Sequence, residues 1–118
     1  MPLSDITILR NSKITKRIIS TKFDGIAETY TLKIRVELKN GWLLDYWEHK
    51  APKLRRYSFH VFKDSKMIVR WDNSPHYPNV SGFPHHKHVG NQVFGSKEMT
   101  AAKVLVEIET MIETQRKK

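Results

Sequence analysis

Between Tyr30 and Leu38 apolar and polar residues alternate without a break. Tyr30, Leu32, Ile34, Val36 and Leu38 fall on one side, and Thr31, Lys33, Arg35 and Glu37 on the other. A period of two is that of a strand with one face on a core and the other in water. Upstream, after a short N-terminal turn or helix, Lys13 to Phe23 reads as a basic strand, β-branched from Ile14 to Ile19, with Asp24-Gly25 as the turn. Downstream, Asn40-Gly41 marks the next turn, and its length is decided by the residues each register would bury. A two-residue loop would put Leu43, Asp45 and Trp47 on the apolar side. A three-residue loop, Lys39-Asn40-Gly41 with Gly41 left-handed, puts Leu44 and Tyr46 there instead. The second register avoids an unpaired buried carboxylate and is the one expected. It also turns Glu48 inward, where a carboxylate needs a partner.

Leu54 to Phe62 and Met67 to Asp72 form a further hairpin around Lys63-Asp64-Ser65-Lys66. Pairing Phe62 with Met67 predicts Tyr57, Phe59, Val61, Ile68, Arg70 and Asp72 on one face, and Arg56, Ser58, His60, Val69 and Trp71 on the other. The stretch with Pro75, Pro78, Gly82 and Pro84 is too proline-rich for a helix or central strand and is expected to be a loop. Beyond it Ala101, Val104, Leu105, Ile108, Met111 and Ile112 recur at helical spacing, with Thr100 as N-cap. The predicted fold is α+β: an antiparallel meander of about five strands with a C-terminal helix packed on the sheet.

With 118 residues there is room for a single domain, 1–118, with one core. Three Trp, four Tyr and five Phe supply its large apolar groups. Without cysteine there is no disulfide, thiolate metal site or Cys nucleophile to consider. No apolar run approaches the roughly 18–20 residues that span a bilayer, and residues 1–11 do not form a signal peptide, so a cytoplasmic protein with no membrane partner is expected. Charge sharpens this picture. Residues 1–70 hold 15 Lys and Arg against 7 Asp and Glu, whereas residues 71–118 hold 6 against 5. A positive field gathered on one part of the chain favours a polyanion or an acidic protein. Lys33, Arg35, Lys53, Arg55 and Arg56 are the candidate phosphate holders. Trp42, Trp47 and Trp71 are expected to be core or sheet cover, although an exposed one could stack on a base.

Four of the six histidines, His76, His85, His86 and His88, lie within thirteen residues, beside Arg70, Asp72, Asn73 and Lys87. Imidazoles exchange protons near neutrality. Cutting RNA without metal needs a base for the 2′-hydroxyl, an acid for the leaving oxygen and cations for the phosphate. His, His and Arg or Lys meet that need. The candidate catalytic set is Arg70, Asp72, His76, His85, His86, Lys87 and His88, with Glu48 and Tyr57 added from the sheet. His86-Lys87-His88 could also share a metal with Asp72, but no HExxH pattern or paired-carboxylate cage accompanies it. No metal or cofactor is assigned.

The run Arg70-Trp71-Asp72-Asn73-Ser74-Pro75-His76, followed by Phe83-Pro84-His85-His86-Lys87-His88, resembles the signature of the TumE family. Gly41 to Glu48, Tyr57-Ser58-Phe59 and the helix Thr100 to Ile112 fall where that family has a glycine turn and strand, a matching triplet and a helix. The likeness spans roughly residues 30–112. Trp71 and Ser74 depart from it, and the N-terminal segment is expected to hold less helix than usual there. The resemblance implies the toxin of a prokaryotic toxin–antitoxin pair, with a helix-turn-helix antitoxin as partner. The resulting expectation is a toxin that acts on RNA as a small metal-independent endoribonuclease, with a homodimer as its candidate assembly. The alternative is a non-catalytic nucleic-acid- or protein-binding module with a structural histidine or metal site.

Overall fold

Every strand of this chain returns antiparallel beside the one before it, and five of the six connections, at two to four residues, are too short for anything else. The computed structural model describes residues 2–116. It runs α1 (Pro2–Asn11), β1 (Thr15–Ile26), β2 (Thr29–Leu38), β3 (Leu43–Ala51), β4 (Leu54–Lys63), β5 (Lys66–Asp72), β6 (His86–Val89), β7 (Gln92–Gly95) and α2 (Ala101–Arg116). The strands form one sheet in the order β1-β2-β3-β4-β5-β6-β7. This is the expected α+β meander, with seven strands in place of about five. The two additional strands lie just after the proline-rich loop, four residues each, joined through Gly90-Asn91.

The three-residue loop is present: Leu38 N–H donates to the Trp42 carbonyl across Lys39-Asn40-Gly41, and Gly41 has φ +94°. Leu44, Tyr46 and Glu48 accordingly face inward and are buried. Asp64 (φ 52°) and Ser65 (φ 65°) supply the two positive φ angles of a two-residue hairpin turn between Lys63 and Lys66. The first turn differs from expectation. β1 continues through Asp24-Gly25 to Ile26, and the chain reverses at Ala27-Glu28. Gly25 has φ +127°, and a Cβ there would collide with the Thr29 carbonyl and Tyr30 Cα. Gly25→Ala should cost about 1–3 kcal/mol, read as a lower urea midpoint.

The register of β4 and β5 differs as well. Phe62 pairs with Met67 as expected, but Val61 pairs with Val69, so Ile68 is an extra residue on β5. This bulge inverts the phase of the remainder of the strand. Val69 and Trp71 join Phe59 and Val61 in the core, while Arg70 and Asp72 move to the opposite face, beside His60 and Ser58. Unbulged pairing would have put two charged groups into the apolar layer.

One face of the sheet is therefore apolar, built from Leu32, Ile34, Val36, Leu44, Tyr46, Phe59, Val69 and Trp71. It shares a single core with Val104, Leu105, Ile108 and Ile112 of α2 and with Leu9 of α1. Thr100 caps α2, accepting from Lys103 N–H at 3.3 Å. The N-terminal segment is a ten-residue helix packed beside α2, more helix than expected, and Thr15 Oγ1 donates to the Leu9 carbonyl at 2.6 Å to fix its exit. Trp71 Nε1 is the buried side-chain nitrogen left without a partner among the described residues. The second face carries Lys33, Arg35, Asp45, Trp47, His49, Arg56, His60, Arg70, His86 and His88, and no described helix lies on it. No described helix is long and apolar enough to cross a membrane.

Candidate active site

The candidate residues separate into two groups because β-strand neighbours point to opposite faces. The first group grows from the inward side of β3 and β4. Glu48 pairs across the ladder with Tyr57, and Arg55 lies two residues before Tyr57, on the same face. Tyr30 Oη donates to Glu48 Oε1 at 2.7 Å, and Arg55 Nε donates to Oε2 at 2.6 Å. Arg55 Nη1 also reaches the Met99 carbonyl (2.8 Å) and Glu98 Oε2 (3.1 Å), and its guanidinium lies 4.3 Å from the centre of the Tyr57 ring. Burial pushes the Glu48 carboxyl upward, but hydrogen bonds from Arg55 and Tyr30 outweigh it and hold the group below its ordinary value. Glu48 is thus the inward carboxylate expected, with Arg55 as its cation.

This polar line continues to an imidazole. Tyr57 Oη stands 2.7 Å from His85 Nδ1 and accepts the Met99 N–H at 3.2 Å. Burial raises the Tyr57 phenol, which stays protonated, and lowers His85, which stays neutral at pH 7. Either partner can donate in the Tyr57–His85 bond, and when Nδ1–H donates, Nε2 is left as a free base. His85 lines an open groove of about 570 Å³ together with Ser81, Gly82, Phe94, Ser96 and Lys97. A half-buried neutral imidazole, fixed by a buried phenol beside a lysine, can take and return a proton next to a phosphate.

The second group sits on the other face. Asp72 Oδ1 lies 2.8 Å from His86 Nε2 and accepts the Ser74 N–H at 3.0 Å; Oδ2 lies 3.1 Å from Arg70 Nε and 3.8 Å from His88 Nε2. His86 and Asp72 are 1% and 4% exposed, so His86 is beyond the reach of an RNA strand. Tyr77, on the proline-rich loop, sets its ring edge-on against both His86 and His88. Burial lowers His60, His85 and His88 below their ordinary 6.5. Unfolded chain therefore binds more protons than folded chain just below that value, and stability should be full above about pH 6.5 and fall as the pH drops through it. Urea midpoints at about pH 7.5 and pH 5.5 check this.

The remaining candidates are scattered. Lys87 points toward α2, bonded to Glu107 at 3.0 Å, and His76 is exposed in the loop. Lys33, Arg35 and Arg56 share the open face with the partly exposed Trp47, and Lys53 lies in the β3–β4 turn. Arg35 is held by Asp45 in a two-pronged pair at 2.7 and 2.8 Å. No ion pair among the described residues engages Lys33, Lys53 or Arg56, whereas Arg55 belongs to the inward line and not to that face. Sequence reasoning missed Tyr30, Tyr77, Lys97 and Met99. For Tyr30 the signal was present, since an inward Glu48 calls for a donor on the neighbouring strand.

A family model described as Toxin TumE matches residues 5–116. No curated protein and no solved structure matches the chain.

Proposed function

The chain belongs to the TumE toxin family, and from that membership we propose that it is a toxin that cuts RNA at the His85 groove and is restrained by a small helix-turn-helix antitoxin. The observation that carries this reading is the Tyr57–His85 pair, at the end of a buried polar line and open to a groove with Lys97. Cleavage would proceed by attack of the 2′-oxygen on phosphorus. His85 takes the 2′-hydroxyl proton, the phosphorus–5′-oxygen bond breaks, and the proton held by His85 returns through solvent in the open groove to the departing oxygen. The products are a 2′,3′-cyclic phosphate and a free 5′-hydroxyl. Lys97 stabilises the added charge, Lys53 in the β3–β4 turn holds the strand, and Glu48 and Arg55 position Tyr57.

Labelled RNA incubated with the purified chain should yield cyclic-phosphate ends, and the same sequence with 2′-deoxyribose at the cut should survive. Intact RNA under all conditions would overturn the nuclease and favour the non-catalytic binding module. Induced alone, the protein should slow its host, and an antitoxin supplied with it should restore growth. Affinity for RNA should fall steeply with salt, and Lys53→Ala should flatten the slope by about one unit, for the one phosphate no longer held. Salt titration of binding measures this directly.

A further inference from the structure

His86 and His88, two apart on β6, point to the same face, and Asp72 pairs directly opposite His86 on β5. We propose that these three side chains form a site for one divalent transition-metal cation of the zinc class. The site lies on the face of the sheet opposite the Tyr57–His85 pair, so it stands apart from the RNA-cutting reading.

Each side chain offers a ligand atom, and the three atoms lie within 4.8 Å of one another. The separations from Asp72 oxygens, 2.8 Å to His86 and 3.8 Å to His88, bracket the roughly 3.3 Å between ligand atoms of a tetrahedral zinc with bonds of about 2.0–2.1 Å. His86 carries the stronger argument. Its Nδ1 faces the Pro84 carbonyl at 3.0 Å and so keeps its proton, the outer bond that metal-ligating histidines make. Its Nε2 then meets a carboxylate oxygen at 2.8 Å in a pocket without solvent. Two lone pairs cannot face each other there: a second proton or a cation must lie between them. His88 Nε2, at 3.8 Å, is beyond hydrogen-bond range of Asp72 and shares no proton with it. A cation would engage all three groups, whereas a proton joins only two. Arg70, whose side chain is 45% exposed, can release Asp72 Oδ2 and turn into solvent. Tyr77 then stands as a wall beside both imidazoles.

The test uses the whole purified chain, stripped with chelator and titrated with Zn²⁺ by calorimetry and with Co²⁺ by visible absorption. The expected result is one equivalent bound, a Co²⁺ band of a low-coordinate nitrogen–oxygen site, and a higher melting temperature with Zn²⁺. His88→Ala, which removes a partly exposed ligand, should weaken binding by at least about 10–100-fold. His49→Ala, on β3 and bonded to Thr31, should bind as the unaltered chain does. No saturable uptake of either metal would overturn the proposal. So would equal affinity in the His88→Ala chain, or nitrogen NMR showing His86 protonated at both nitrogens with Zn²⁺ present. None of these readouts depends on RNA cleavage, so the two readings can fail separately.

Discussion

Arg55→Ala should destabilise the fold by about 3–5 kcal/mol. Glu48 is 4% exposed, and Arg55, at 2.6 Å, is its only cationic partner among the described residues. Without the guanidinium, the carboxylate keeps only uncharged phenol donors, Tyr30 foremost, in a place water does not reach. The Met99 carbonyl and the face of Tyr57 lose their partner as well. The cost therefore reflects a stranded charge and not the intrinsic strength of the pair. That distinction can be measured: Glu48→Gln combined with Arg55→Met should recover a large part of the loss, because neither side then buries an unpaired charge. Asp45→Ala is the contrasting case. It breaks the two-pronged bond to Arg35, yet both partners are substantially exposed, and the expected loss is about 1 kcal/mol or less. Urea denaturation of these variants beside the unaltered chain makes the comparison.

His85→Ala should lower RNA cleavage by about 10²–10⁴-fold, the usual worth of a positioned proton-transfer group, and abolish growth inhibition. The side chain is half-buried and its one protein hydrogen bond is to Tyr57, so stability should change by about 1 kcal/mol or less. Tyr57→Phe keeps the imidazole but removes its orienting partner and leaves the Met99 N–H without an acceptor. It should cost about 1–2 kcal/mol in stability and leave intermediate activity. Single-turnover rates at saturating RNA, with melting curves on the same preparations, separate the two effects. A His85→Ala chain that cuts and poisons like the original would remove the catalytic role from this groove.

Much of this arrangement is legible from residue order. The alternation from Tyr30 to Leu38 and the cost of burying Asp45 together determine the three-residue loop, and that loop turns Glu48 inward. The stripe from Ala101 to Ile112 gives α2 and its buried side. Phase, however, is a property of pairs of strands, and alternation within one strand carries no record of it. One extra residue, Ile68, moves Arg70 and Asp72 away from Tyr57. β6 and β7 hold only four residues each, too few to display a period, and the Gly90-Asn91 turn was the available sign. Adjacency in sequence also concealed that His85 and His86 serve opposite faces. A cluster in the chain became two groups in space.

Sheet order that repeats chain order has a kinetic consequence. No strand waits for a distant partner, so loop-closure entropy is small and the sheet can zip from local contacts. The helical layer is different, since α1 and α2 come from opposite ends of the described chain and meet only across the finished sheet. At about 5–20 residues per second, the ribosome makes all seven strands before it has made α2, and the helix itself takes roughly 1–3 s more. For that interval Leu44, Phe59 and Trp71 lack the cover of Val104, Leu105 and Ile108. The nascent chain therefore shows an apolar face to its surroundings until α2 docks.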